Sequence, residues 1–249
     1  MKENTRWLSC YKPNPKAKLR MFCFPYAGGG SSIFRTWTGD LPTWTEVCPV
    51  QLPGRENRIQ EKSFTTMEQL ITATSTALMP YFDLPFVFFG HSMGAWIAYE
   101  LACYLRKNNE LTPKHLFVAG RFAPHVPEPD KFHLLPEKEF KEQLKIYNGT
   151  PSVVLENDEF MQLLIPLLKA DFSVCETYIY TPREPLDCPI SVFSGKDDHM
   201  IGEDGLHAWQ QHTSNKCRVE IFQGEHFFLR TAQKELLKSI TSDLAPYEK

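Results

Sequence analysis

The chain has 249 residues, 42% of them hydrophobic, and a formal net charge of -3 at pH 7. That length suits one α/β unit with a sizeable core, and the near-neutral balance lacks the basic stripe that nucleic acid demands. Seven cysteines stand singly, with no CxxC pair, a pattern of reduced thiols in an intracellular protein rather than of a disulfide framework or zinc site. The first residues carry no apolar signal segment, and no apolar run approaches the roughly 18 residues that a membrane helix needs. A soluble, cytoplasmic enzyme, free of nucleic acid and membrane partners, is expected.

In chain order, short runs rich in Phe, Val and Ile predict strands at 19–24, 46–52, 86–89, 115–119, 190–194 and 218–222. Several are apolar on both faces, as in a parallel sheet covered by helices. Helices are predicted between and after them at 32–40, 66–81, 93–106, 205–212 and 232–244. Alternating strands and helices of this kind predict an α/β fold with a mostly parallel, twisted sheet flanked by helices.

The rhythm breaks from about residue 122 to residue 181. Prolines cluster at the start of this stretch (Pro124, Pro127, Pro129), and no strand follows them. Phe140, Leu144 and Tyr147 are spaced as one face of a helix. Phe160, Leu163, Leu164, Leu167 and Leu168 form a second apolar stripe, with Asn157 placed to cap, acidic Asp158 and Glu159 in the first turn, and Pro166 expected to kink the helix. An all-helical insertion of this size reads as a lid within a single domain spanning 1–249; the alternative is a simple cover for the sheet edge.

The motif Gly90-His91-Ser92-Met93-Gly94 follows a predicted strand and opens a predicted helix. This is the context of a G-x-S-x-G nucleophile elbow, a sharp turn that lifts the serine above the sheet. Ser92 is the expected nucleophile, and His91, adjacent in sequence, is expected to pack rather than react. A serine hydroxyl needs a base. In the α/β-hydrolase fold the order along the chain is serine, acid, histidine, and His226, just past the last predicted strand, fits the base. Gly195-Lys196-Asp197-Asp198 follows the preceding strand; the spacing Gly-x-x-Asp selects Asp198 as the acid, with Asp197 the alternative. A metal site built from Asp197, Asp198 and His199 is disfavoured because consecutive residues converge poorly on one ion. The backbone N–H groups of an oxyanion hole are expected from Met93 and from the loop after the first strand, Phe24-Pro25-Tyr26-Ala27-Gly28-Gly29-Gly30, at Ala27 with Tyr26 the alternative. No Gly-Lys-Ser/Thr follows these glycines, so they are not a P-loop.

With these pieces placed, the chain from about residue 18 to residue 245 resembles the type II thioesterases of nonribosomal peptide and polyketide synthetases. It also resembles their relatives that release medium-chain acids from fatty acid synthase. The matching segments are FPYAGGG at 24–30, LPGRENR at 52–58, FFGHSMGA at 88–95, GTP at 149–151, LKADF at 168–172, SGKDD at 194–198 and GEHFFL at 224–229. Glu225 departs from the glycine usual in that family. The resemblance implies a Ser-His-Asp hydrolase that cleaves acyl or peptidyl thioesters from the phosphopantetheine arm of carrier proteins, either clearing misprimed carriers or releasing chains. It implies no cofactor beyond the phosphopantetheine brought by the substrate, acyl or peptidyl carrier domains as partners, and a monomer. A small-molecule carboxylesterase, or an acyltransferase or cyclase on the same fold, remains the alternative.

Overall fold

A computed structural model describes residues 5–8, 11–128, 131–147, 149 and 152–248. Cys10, Pro129 and the Thr150-Pro151 part of the GTP motif lie outside these residues. Strands β1 (Leu19–Phe24), β2 (Thr45–Pro49), β3 (Phe86–His91), β4 (Leu116–Ala119), β5 (Ile190–Gly195) and β6 (Cys217–Phe222) form a six-stranded sheet in the order β2-β1-β3-β4-β5-β6, with every pairing parallel. The strand alternation sends Phe22, Phe24 and Phe88 into the core on one face, and Met21, Cys23 and Phe89 into the core on the other.

Helices α1 (Met67–Leu78) and α2 (Met93–Asn109) cover the first face, and α8 (Gln233–Leu244) packs on the second. Between β4 and β5 stand α3 (Glu137–Tyr147), α4 (Ser152–Leu155) and α5 (Asp158–Glu176), which share a core of their own through Phe140, Leu144, Leu155, Met161, Ile165 and Leu168. The short α6 (Glu203–His207) and α7 (Phe228–Thr231) follow β5 and β6. No helix of the described residues is long and apolar enough to cross a membrane.

Several local expectations are corrected. Strand β2 ends at Pro49 rather than at residue 52, because the backbone N–H of Gln51 turns away to the Trp7 carbonyl and its side chain accepts from Ser31 N. The helix expected at 32–40 is two 3-10 turns, Ser31–Phe34 and Trp37–Gly39. Their fully buried anchors, Phe34 and Trp37, lie three residues apart, which is the 3-10 period. Asn157 does cap α5, accepting from Phe160 N, and the helix runs unbroken through Pro166. The apolar stripe is rotated from the expected face. Phe160 and Leu163 are exposed, while Met161, Ile165 and Leu168 face α3 and α4.

Away from the open end of the sheet, His212 is buried beneath Tyr99, whose hydroxyl lies 3.0 Å from Nδ1, and its Nε2 is 2.7 Å from Nδ1 of His125. Burial, together with His125 and Arg183, pushes the His212 pKa down from 6.5 to about 4. A histidine depressed in the folded state binds fewer protons there than in the unfolded chain, so its effect on stability is lost as pH falls through 6.5. Thermal unfolding should therefore be flat above pH 7 and fall steeply between pH 6.5 and 5. His212→Gln should flatten that slope by up to about 1.4 kcal/mol per pH unit; an unchanged slope in that variant would refute the assignment.

Candidate active site

The site forms at the C-terminal ends of the parallel strands. Ser92 caps the N-terminus of α2 directly after β3, with φ 54° and ψ -117°, and its N–H donates to the Ala119 carbonyl at 2.7 Å. That backbone is strained for a residue with a side chain. Both flanking glycines are there for lack of room. A Cβ on Gly90 would lie 2.0 Å from the Gly94 carbonyl oxygen, and one on Gly94 would lie 2.1 Å from the Phe24 carbonyl oxygen.

His226 follows β6 and Asp198 follows β5, and both are buried. Gly195 lets these two loops meet, since a Cβ there would lie 2.3 Å from the Glu225 carbonyl oxygen. The imidazole Nδ1 donates to Asp198 Oδ2 at 2.8 Å, and Met200 N donates to Asp198 Oδ1 at 3.1 Å. Asp197, the alternative acid, is exposed and bonds through its backbone N–H to the Gly224 carbonyl. An imidazole whose Nδ1 carries the proton presents Nε2 as a base.

His91 lies behind His226, with ring centroids 5.2 Å apart, and is wholly buried against Tyr26, Phe227 and Phe228. Burial, with the nearby His226 and Arg230, holds its pKa well below the ordinary histidine value. The neighbouring ring therefore stays neutral and adds no positive charge behind His226.

Ser92, Met93 and His226 line one cavity of about 480 Å³, together with Tyr26, Ala27 and the glycines of the loop after β1. The wall formed by α3 and α5 is apolar, with Leu144, Leu164, Leu167, Leu168 and Phe172. Cys175 also lines it, but burial pushes its thiol up to about 12, so it is protonated and inert near neutral pH. In the same cavity Arg121 pairs with Glu128, and its guanidinium carbon lies over Trp96, 3.7 Å from the ring centroid.

Two further residues of the cavity region carry no signal in hydropathy or spacing, though each falls inside a family motif. Arg55, of LPGRENR, and Asp171, of LKADF, form a buried bidentate pair at 2.7 and 2.8 Å. Residues 116 positions apart meet here, which no single-chain pattern announces.

A parallel sheet with a serine at a strained strand-to-helix turn, and a histidine after the last strand bonded to an aspartate after the preceding one, defines an α/β-hydrolase fold. The thioesterase domain family model matches residues 19–244. The chain therefore belongs to the thioesterase family, enzymes that hydrolyse thioester bonds. It is 43% identical to the gramicidin S biosynthesis protein GrsT of Aneurinibacillus migulanus, over 96% of this chain and 94% of that protein. It is 35% identical to the medium-chain S-acyl fatty acid synthase thioesterase of Rattus norvegicus, over 93% of this chain and 89% of that one. Among solved structures, RedJ, a thioesterase of the prodiginine biosynthetic pathway in Streptomyces coelicolor, superposes with a TM-score of 0.86 at 38% identity, covering 92% of this chain and 86% of that chain.

The clearances around the elbow set a test of its packing. Gly94→Ala should lower the unfolding temperature by about 2–12 °C, the scale of a local overpacking penalty of about 1–3 kcal/mol. Calorimetry showing no change would mean that the α2–β1 approach is looser than 2.1 Å implies.

Proposed function

We propose that the protein hydrolyses acyl or peptidyl thioesters carried on the phosphopantetheine arm of carrier proteins, with Ser92 as nucleophile, His226 as base and Asp198 as the orienting carboxylate. The observation that carries this reading is the His226–Asp198 bond at 2.8 Å, together with Ser92 opening onto the same lid-walled cavity as His226. Ser92 Oγ attacks the thioester carbonyl as its proton passes to His226 Nε2. The resulting oxyanion is met by the N–H groups of Met93, first residue of α2, and Ala27. Ala27 N–H makes no hydrogen bond among the described residues, whereas Gly28 N is taken by Asp171 and Gly29 N by the Tyr26 carbonyl, which supports Ala27 as the second donor. Collapse expels the pantetheine thiolate, which His226 protonates; a thiol with a pKa near 8.5 needs only modest help to leave. Water, deprotonated by the same nitrogen, then hydrolyses the acyl-serine to the free acid.

Helices α3–α5 act as a lid over this cavity, and their apolar wall takes the acyl group while excluding bulk water. The carrier assignment is supported by the company the chain keeps, a gramicidin S biosynthesis protein and thioesterases of the prodiginine pathway and of fatty acid synthase. A cytoplasmic, monomeric enzyme without a cofactor of its own fits the same reading.

Ser92→Ala should abolish labelling by a fluorophosphonate and lower kcat by about 10⁴-fold or more. Asp198→Asn should lower kcat about 10³- to 10⁴-fold while Asp197→Asn stays within about threefold of wild type; the reverse order would reassign the acid. The same acyl group should turn over at least about tenfold faster from a carrier protein than from CoA, about 1.4 kcal/mol of docking energy. Equal rates would remove the carrier from this account, and faster cleavage of matched oxygen esters would favour a carboxylesterase.

A further inference from the structure

Helix α5 reaches past its own core and touches the loop after β1 at Gly28. The loop from Tyr26 to Gly29 is a tight turn: Gly29 N–H donates to the Tyr26 carbonyl at 2.9 Å, and Gly28 has φ +78°. A positive φ at the third position alone marks a type II turn, in which the peptide between Ala27 and Gly28 is turned over relative to type I. What holds that peptide is a charge on α5. Asp171 Oδ2 accepts from Gly28 N–H at 2.7 Å and from Arg55 Nη1 at 2.7 Å, while Arg55 Nη2 donates to Oδ1 at 2.8 Å. Arg55 also donates to the Gly29 carbonyl at 3.3 Å and to the Pro53 carbonyl. One turn earlier on the same helix, Leu168 occupies the space above Gly28, where a Cβ would lie 2.5 Å from its methyl group.

Packing alone does not explain a buried ion pair in this place. Two apolar side chains of similar volume would hold α5 to the loop at equal or lower free energy, because both ions must be desolvated. The charged pair does something that they cannot: it supplies an acceptor to Gly28 N–H and a donor to the Gly29 carbonyl at once.

We propose that Arg55 and Asp171 are positioning residues that make docking of α5 and assembly of the oxyanion-binding turn a single event. With α5 seated, Asp171 fixes the Ala27–Gly28 peptide and so the backbone of Ala27, and the cavity acquires its apolar wall and its second N–H donor together. With α5 displaced, the turn loses its anchor and the donor is misplaced while Ser92, His226 and Asp198 remain in register. This rests on the assignment of Ala27 as an oxyanion donor.

The test uses the full-length enzyme and an acyl-pantetheine thioester, with Asp171→Leu, Asp171→Asn and the charge swap Arg55→Asp/Asp171→Arg, beside wild type and Ser92→Ala. Loss of one oxyanion donor is worth about 10²–10³ in kcat. Asp171→Leu should therefore lower kcat by about 100-fold with KM changed less than about threefold, and slow fluorophosphonate labelling in parallel. Asp171→Asn, which keeps an acceptor for Gly28 but loses the charge, should fall between it and wild type. The charge swap restores the ion pair but places a donor against Gly28 N–H. It should therefore recover the unfolding temperature without recovering kcat, whereas a purely structural pair would recover both. Amide exchange at Gly28 should quicken about tenfold or more in Asp171→Leu and stay unchanged in Ser92→Ala. Wild-type kcat together with unchanged Gly28 exchange in the folded Asn and Leu variants, or recovery of kcat by the swap, overturns the proposal. Quickened exchange with unchanged kcat would instead overturn the oxyanion role of Ala27 while leaving the anchor intact. Retained activity in Ser92→Ala would remove the catalytic reading on which both rest.

Discussion

The structure depends on one costly turn. A non-glycine residue held at φ 54° and ψ -117° stores about 1–3 kcal/mol of strain, and the chain keeps Ser92 there because everything around it is better satisfied that way. Its N–H is bonded to the Ala119 carbonyl on the neighbouring strand. The helix that it opens buries Trp96, Tyr99, Leu101 and Leu105, side chains worth about 1.5–3 kcal/mol each when removed from water. A relaxed turn would swing α2 off the sheet and forfeit several of these, so burial outweighs strain. The elbow needs no local preference of its own, only two neighbours without side chains and a helix too well buried to move.

That turn also fixes where chemistry can occur. Parallel strands deliver their C-terminal loops to one edge, and the central strand β3 places Ser92 between the loop after β1 on one side and the loops after β4, β5 and β6 on the other. Ser92 thus lies on the same edge as Asp198 and His226, which follow it by more than 100 residues in the chain. The helical insertion closes over this same edge because it leaves the sheet at β4 and returns at β5.

Strands β1, β3, β4 and β5 were legible because they are buried throughout and read as short, largely apolar runs, whereas the edge strand β6 is only partly buried and alternates Arg218 and Glu220 with Val219 and Ile221. The elbow, the histidine and the aspartate were legible because they sit at fixed offsets from strand ends. Spacing selects Asp198 over Asp197, and in the structure Asp198 is buried and Asp197 exposed. The face of α5 was not legible. From Phe160 to Leu168 that helix is apolar nearly all round, so periodicity cannot say which side meets α3. Nor was the partnership of Arg55 with Asp171. Each has other charges near it in sequence, Glu56 beside Arg55 and Lys169 before Asp171, and only the fold shows that Arg55 and Asp171 pair.

The two buried aspartates show how a protein can desolvate a carboxylate for opposite purposes. Asp171 faces a permanent cation, with both oxygens engaged by Arg55 and a backbone N–H besides. Its charge is fully spent on holding geometry, and breaking such a pair costs about 3–5 kcal/mol because the survivor is stranded. Asp198 has no such partner: one oxygen receives an imidazole N–H and the other a backbone N–H. A guanidinium in that place would neutralise the carboxylate in advance and leave little of its field for an imidazolium forming beside it. Under the proposed mechanism, the uncharged support of Asp198 leaves its charge available to His226, whereas the ion pair of Asp171 spends its charge on holding the turn.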